Sequence, residues 1–385
     1  MHRIILFIIC TCFVFFCSAQ DSLLINRLLH RIASQQVVSD NDFTKGNFPS
    51  YISNTSSFKT KHKDDNVFFA ALINYTLQQH RASFSVGNRL LVDSIKQQTT
   101  GLYKYFQNKK GRLTYNFWRT DSSFSFPYTR WIRRIKKNTS LSDDLDDTVL
   151  SLMAQDADST RAVEVHALMQ KYIVTGLKNK SIERKYRLYK TYSVWYGKNF
   201  PPVYDVCVLS NILSFVQRYH WRWSAADSAA LNVIVRSIQT ADYINKPIYV
   251  SPYYGNTSLV LYHVARLMSY DSIPQLEALR TNLVIAATEQ LAGSNNLLEK
   301  IILSSAIMKL GYVPPDVSLQ DDNEAISEVE QSDFPFFIGN IPSYFLPVPK
   351  HFFTQKKWLL FYHYCPAFND VLLLEYLMLK QQVLK

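Results

Sequence analysis

Glycine is scarce, with 10 in 385 residues, where an average protein carries roughly 7%. That leaves too few for glycine-rich phosphate cradles, for collagen, or for β-rich sandwiches with their many tight turns. Cysteine is also sparse. Of the five, Cys10, Cys12 and Cys17 fall in the opening segment and only Cys207 and Cys365 follow it. One disulfide or two separate buried thiols both fit that count. No G-x-S-x-G elbow, CxxC pair, HExxH run or paired Cys/His spacing occurs, so the common signals of serine hydrolases and zinc sites are missing. Low-complexity tracts are absent too, and with 47% hydrophobic and 19% charged residues the composition excludes wholesale disorder. After the opening segment no stretch reaches the ~18 uninterrupted apolar residues of a membrane span.

Met1 to Ala19 reads as a cleaved export signal. His2 and Arg3 precede the apolar run Ile4 to Phe16, and Cys17-Ser18-Ala19 offers small residues to a peptidase before Gln20. The expectation is a periplasmic or secreted protein without a transmembrane segment in its mature part. Its formal charge of +11 gathers at Arg130, Arg133, Arg134, Lys136 and Lys137, and again from Lys178 to Lys190. Export argues against nucleic acid as the partner. It leaves a solvated basic face or attraction to anionic glycans and lipid headgroups.

What the chain does contain is helical periodicity and aromatic mass: 24 Tyr, 24 Phe and 6 Trp. Apolar segments of helical length recur in pairs. First members are expected at Asp64–Gln79, Asp143–Gln155, Val203–Tyr219, Asn256–Ser269, Asn295–Leu310 and Asn369–Leu379. Second members are expected at Val86–Phe106, Asp158–Leu177, Ala225–Tyr243 and Ile273–Leu291, with Ser22–Ala33 completing a sixth pair. The expected fold is all-α, a single domain over residues 20–385 in which helical hairpins close as an α/α toroid. A Pro-rich excursion at about 312–352 interrupts the rhythm, and its aromatics could either cover the mouth of the cavity or pack on the outside.

The first members open alike: polar, then strongly apolar. In a closed circuit with a common helix direction their first turns would meet at one mouth lined by Asp64, Asp65, Asp205, Tyr254, Asn256, Asn296 and Asp370, with Trp118 and Arg119 nearby. Asp and Asn are also preferred caps at helix N-termini, so each segment alone has a local explanation. Capping needs one or two acids. The run Asp143-Asp144-Leu145-Asp146-Asp147 supplies four, and clustered carboxyls raise one another's pKa, so one could stay protonated as an acid.

Asp144-Leu145-Asp146-Asp147-Thr148 resembles the Asp-x-Asp-Asp-Thr motif of class II terpene cyclases of the squalene–hopene type, whose α/α toroid is shared with protein prenyltransferases. The aromatic stretch Tyr115 to Arg119, with Phe126-Pro127, is similar to loops that lead into acidic helices of such proteins. The resemblance implies an acid catalyst at Asp146 supported by Asp144 and Asp147, with aromatic faces stabilising a carbocation and no cofactor. Asp205-Val206-Cys207 is similar to the Asp-x-Cys pair with which prenyltransferases hold zinc, His263 then being the third ligand. A glycosidase or lyase on an α/α barrel would instead set Asp146 against Asp65, Asp205 or Asp370. The third reading is a non-catalytic toroid that binds a lipid, peptide or other partner, its acids capping helices and pairing with Arg119, Arg130 or Arg133. The ligands in view are therefore a small apolar molecule or a glycan, and the activity stays open between these readings.

Overall fold

The computed structural model describes residues 21–54, 61–121, 142–197, 200–319, 321–357 and 359–383. The expected export signal, Phe126-Pro127 and the basic cluster Arg130 to Lys137 lie outside these residues. The described chain is mostly α-helical. Its longer helices are α1 (residues 21–35), α2 (Phe68–His80), α3 (Val86–Thr100), α4 (Leu145–Ala154), α5 (Ser159–Lys171), α6 (Val206–Arg218), α7 (Ala225–Gln239), α8 (Thr257–Met268), α9 (Arg280–Gly293), α10 (Leu297–Lys309), α11 (Asp322–Glu330), α12 (Pro347–Gln355) and α13 (Pro366–Val383).

Two kinds of helix differ in their apolar pattern. Every residue of α4 and of α8 is buried, so neither has a solvent face. By contrast α3 buries Val92, Ile95 and Thr99, and α5 buries Ala162, Val165 and Met169, each a single stripe spaced i, i+3, i+7. Packing follows from this difference. Helix α2 packs on α4, α4 on α6, α6 on α8, α8 on α10, α10 on α13, and α13 back on α2. Around that inner circuit, α3 covers α2, α7 covers α6, α9 covers α10 and α11 covers α13. Helix α1 lies antiparallel to α13, with Gln381 donating to Ser22 at one end and Gln35 to Asp370 at the other. The segments expected as first members of the pairs are those of the inner circuit. One continuous cluster of buried side chains extends from Leu24 to Leu379.

Alongside its helices the mostly α-helical chain carries a few short strands. Strands β1 (Tyr51–Ser53), β2 (His62–Lys63), β5 (Phe337–Asn340) and β6 (Leu360–Tyr364) form an antiparallel sheet in the order β2-β1-β6-β5, while β3 (Val174–Thr175) and β4 (Lys190–Thr191) pair separately. These strands have two to five residues each, too short to carry a readable alternation. They join segments far apart in sequence, Tyr51 standing opposite Tyr364 and Phe337 opposite His363. Within the Pro-rich excursion the prolines punctuate short helices: Pro342 and Pro347 occupy first-turn positions, where a missing N–H costs nothing. Cys207 and Cys365 are both free and buried, which settles their pairing in favour of separate thiols. Among the described residues no helix is long and apolar enough to cross a membrane.

Candidate functional site

The loops that lead into the inner helices are joined edge to edge. Bridges link Asn66 with Trp118, Tyr115 with Asp144, and Asp144 with Trp195. The Ile338 N–H donates to the Tyr253 carbonyl at 2.7 Å. Between them lies a void of about 20 Å³, lined by Trp118, Asp144, Trp195, Tyr253, Phe337 and His363 among others, room for about one water. The space above the inner helices is otherwise taken by β5 and the residue before it. Phe336 sits against Phe368 (ring centroids 4.7 Å), His263 (5.7 Å), Tyr254 (5.9 Å) and Tyr262 (6.1 Å). Phe337 packs on Phe68 at 4.6 Å and stacks on Phe117 at 5.1 Å. Of the two positions open to the excursion's aromatics, the mouth is the one they occupy.

The acidic run divides its work among its members. Asp144 is the N-cap of α4, its Oδ1 accepting from the Asp146 N–H at 2.7 Å and the Asp147 N–H at 3.3 Å. Asp143 turns outward to Arg112 (2.8 Å), Asn108 (2.7 Å) and Thr114 (2.5 Å). Asp146 points into the circuit, accepting from Asn211 Nδ2 at 2.6 Å and from the Tyr254 hydroxyl at 2.5 Å. Asp147 is 1% exposed, and among the described residues neither of its oxygens has a hydrogen-bond partner. Burial pushes the Asp144 and Asp147 carboxyls well up, and the neighbouring carboxylates add to the rise. Burial also raises Asp146, opposed by Tyr254, Asn211 and Arg266. Asp205 caps α6 and reaches across to Ser251 Oγ (2.6 Å) and the Tyr253 N–H (2.9 Å), with burial lifting it to about 7.

Behind Asp146 a line of polar groups continues through the apolar interior. Asn211 accepts from Arg266, a guanidinium only 1% exposed that also lies over the rings of Tyr75 (5.3 Å) and Tyr262 (5.5 Å). The Tyr262 hydroxyl donates to Glu375 at 2.6 Å, and Glu375 pairs with Lys309 at 2.8 Å. Burial works against the Glu375 charge, but Lys309 and His80 outweigh it and hold the carboxyl well below its usual range. Removing one partner from such a buried set leaves an uncompensated charge and costs about 3–5 kcal/mol.

The remaining candidates do not converge on Asp146. Asp64 accepts from Trp118 Nε1 at 2.6 Å and faces His363 Nδ1 at 2.8 Å. Asp65 turns to Thr44 and Asn47, and Asp370 to Gln35 with Arg31 beyond, all partners from the N-terminal segment. Burial and the nearby Glu330 push Asp370 up to about 8. Asn256 and Asn296 are caps of α8 and α10. Arg119 binds Asp121 and Thr44 and lies over Tyr105, and so is not the cation of the acidic run; that part falls to Arg112 and, through Asn211, Arg266. Arg130 and Arg133 are outside the described residues. The zinc alternative needs correction as well: among the described residues no group of three or more acids, Cys or His could hold a metal. Asp205 spends its oxygens on Ser251 and backbone amides, burial pushes the Cys207 thiol well up, and His263 sets Nδ1 on the Leu259 carbonyl at 2.7 Å, its charge disfavoured by burial and by Arg266.

No family model, curated protein or solved structure matches the chain. The resemblance of residues 144–148 to the cyclase motif therefore rests on those residues alone. Sequence reasoning did not single out Asn211, Arg266 or Glu375, although one signal was present: a charge isolated within an apolar inner helix, as Arg266 is within Leu259 to Met268.

Proposed function

We propose that this chain is an exported α/α toroid, related in plan to terpene cyclases and protein prenyltransferases, in which the inward acids fasten the inner helices together and the ring serves as a binding scaffold. The observation that carries this reading is the saturation of Asp146. Both of its oxygens are taken, one by Asn211 and one by Tyr254, and the space an alkene would need is filled by Phe336 and Phe337. A general acid must reach the atom that it protonates. Here the carboxyl that aligns with the family's catalytic aspartate instead bonds α4 to α6 and to the turn before α8, a stitch across three successive inner elements. The closed order of helix contacts, from α2 round to α13 and back, supports the toroid.

The test uses mature protein beginning at Gln20 and its Asp146→Asn variant, incubated with squalene and with farnesyl-chain polyprenes, and both analysed by native mass spectrometry for retained small molecules. The expected result is no cyclised hydrocarbon from either protein and the same retained molecules in both. Cyclised product from wild type that disappears in Asp146→Asn would sink the scaffold reading. One observation favours that acid chemistry as a second reading. Asp147 is a buried carboxyl with no hydrogen-bond partner among the described residues, and Phe336 fills space between the inner helices, so Phe336→Ala belongs in the same assay.

A further inference from the structure

We infer that the end of the ring opposite the acidic mouth carries a saccharide-binding groove, built from the C-terminal turn of α6, the start of α7 and residues 271–275. It lies about 20 Å from the mouth, the length of the thirteen-residue helix α6, and it does not depend on how the mouth functions. The groove has a volume of about 490 Å³, within the roughly 300–1,000 Å³ of small-molecule sites. Gln217, Trp221, Trp223, Asn232, Asp271 and Gln275 supply its chemistry.

The two indoles are placed differently. Trp221 is built into the protein, stacked on Tyr219 (4.9 Å, planes 14° apart) and on His166 (5.2 Å, 27°). Trp223 is half-exposed, and among the described residues no other ring stacks on it. The turn that presents them passes through His220 at φ +53°, the left-handed residue that closes α6, with the His220 and Trp221 N–H groups donating to the Gln217 and Val216 carbonyls.

A second, independent observation points to a ligand. Gln217 lines the groove, is 4% exposed, and its Oε1 has no hydrogen-bond partner among the described residues. A buried amide oxygen left unpaired costs about 1–3 kcal/mol, which a ligand hydroxyl arriving from the groove would recover. Around the rim stand the exposed amides of Asn232 and Gln275, and Asp271 with His220 at 3.8 Å. Such a rim offers donors and acceptors with little net charge, and an apolar indole face lies beside it. Those are the requirements of a neutral pyranose. Its equatorial hydroxyls bond sideways to amides and carboxylate, and its axial C–H bonds form a flat apolar face that lies on an indole. β-1,4-linked chains present that face in every residue.

The experiment titrates mature wild-type protein with cellohexaose and with chitohexaose, following tryptophan fluorescence and heat. Saturable binding of at least one hexasaccharide is expected. Trp223→Ala should weaken it about tenfold or more, as for an aromatic anchor, and Gln217→Leu about fivefold. Because either change could disturb folding, Asn232→Ala, at an exposed rim position, is measured beside them with a circular dichroism spectrum and should weaken binding roughly threefold. The inference is overturned if neither hexasaccharide saturates the wild type, or if Trp223→Ala with a native spectrum and Asn232→Ala both bind as wild type does.

Discussion

At the N-terminal end of the inner helices, Asp64, Asp144, Asp146 and Asp205 place their oxygens on protein donors beneath Phe336 and Phe337, whereas at the C-terminal end Gln217 leaves an amide oxygen bare and Asn232, Asp271 and Gln275 stand in solvent. The end richer in acids is thus the one where most polar groups, Asp147 excepted, already have partners. A cluster of carboxyls signals chemistry when a ligand can reach it. Closed off, the same cluster joins helices and titrates with the stability of the fold. An unpaired buried group beside an open groove is the more direct sign of a ligand, because only something from outside can complete it.

The largest effect is expected at Asp146. Asp146→Ala strands Tyr254, Asn211 and Arg266, and should lower unfolding stability by about 3–5 kcal/mol, read by urea denaturation. A loss under about 1 kcal/mol would mean that the mouth acids are not structural. Next comes the plug. Phe336→Ala removes a buried ring from between Tyr254, Tyr262, His263 and Phe368 and should cost about 3–5 kcal/mol by the same measurement. It should leave the far groove's ligand binding unchanged.

The pH dependence sharpens the contrast further. Asp205 (about 7), Asp370 (about 8), Asp144 and Asp147 all have folded pKa values above the free value of 3.8. The native state therefore holds more protons than the unfolded chain at neutral pH. Their contribution is fully present below about pH 4 and is lost as pH rises through 7 to 8, at up to about 1.4 kcal/mol per pH unit for each retained proton. Thermal unfolding should accordingly move to lower temperature from pH 5 to pH 8. Glu375, depressed by Lys309 and His80 in spite of its burial, acts in the opposite sense and sets the loss on the acid side below about pH 4.5. Asp147→Asn should flatten the neutral limb and gain more stability at pH 8 than at pH 5; an unchanged slope would show that Asp147 does not hold its proton. The smallest effect belongs to the far end. Ser224 forms a capping box with Asp227 at the start of α7, and Ser224→Ala should cost about 1 kcal/mol with the same pH slope as wild type.

Much of the architecture was legible because it is local. The i, i+3, i+7 stripes of α3 and α5 follow from the period of the helix, and Asp144, Asp205, Asn256 and Asn296 cap helices through amides two or three residues ahead. The short strands were not legible, since two to five residues carry no periodicity of their own and their partners lie across the chain. Nor was the direction of each acid. Asp64 and Asp65 are neighbours in sequence, yet one meets Trp118 and His363 and the other meets Thr44 and Asn47 of the N-terminal segment.

By itself the sequence determined where helices start, which faces are apolar, and which residues cap them, because those outcomes depend on contacts within one or two turns. Only the tertiary structure decided what the acids do. Asp146 finds its partners 65 and 108 residues away, and Arg266 reaches Asn211 across 55. Whether a carboxyl is charged, bonded or reachable depends on the dielectric and the donors that packing brings to it, and in this protein packing brought Tyr254, Asn211 and Phe336.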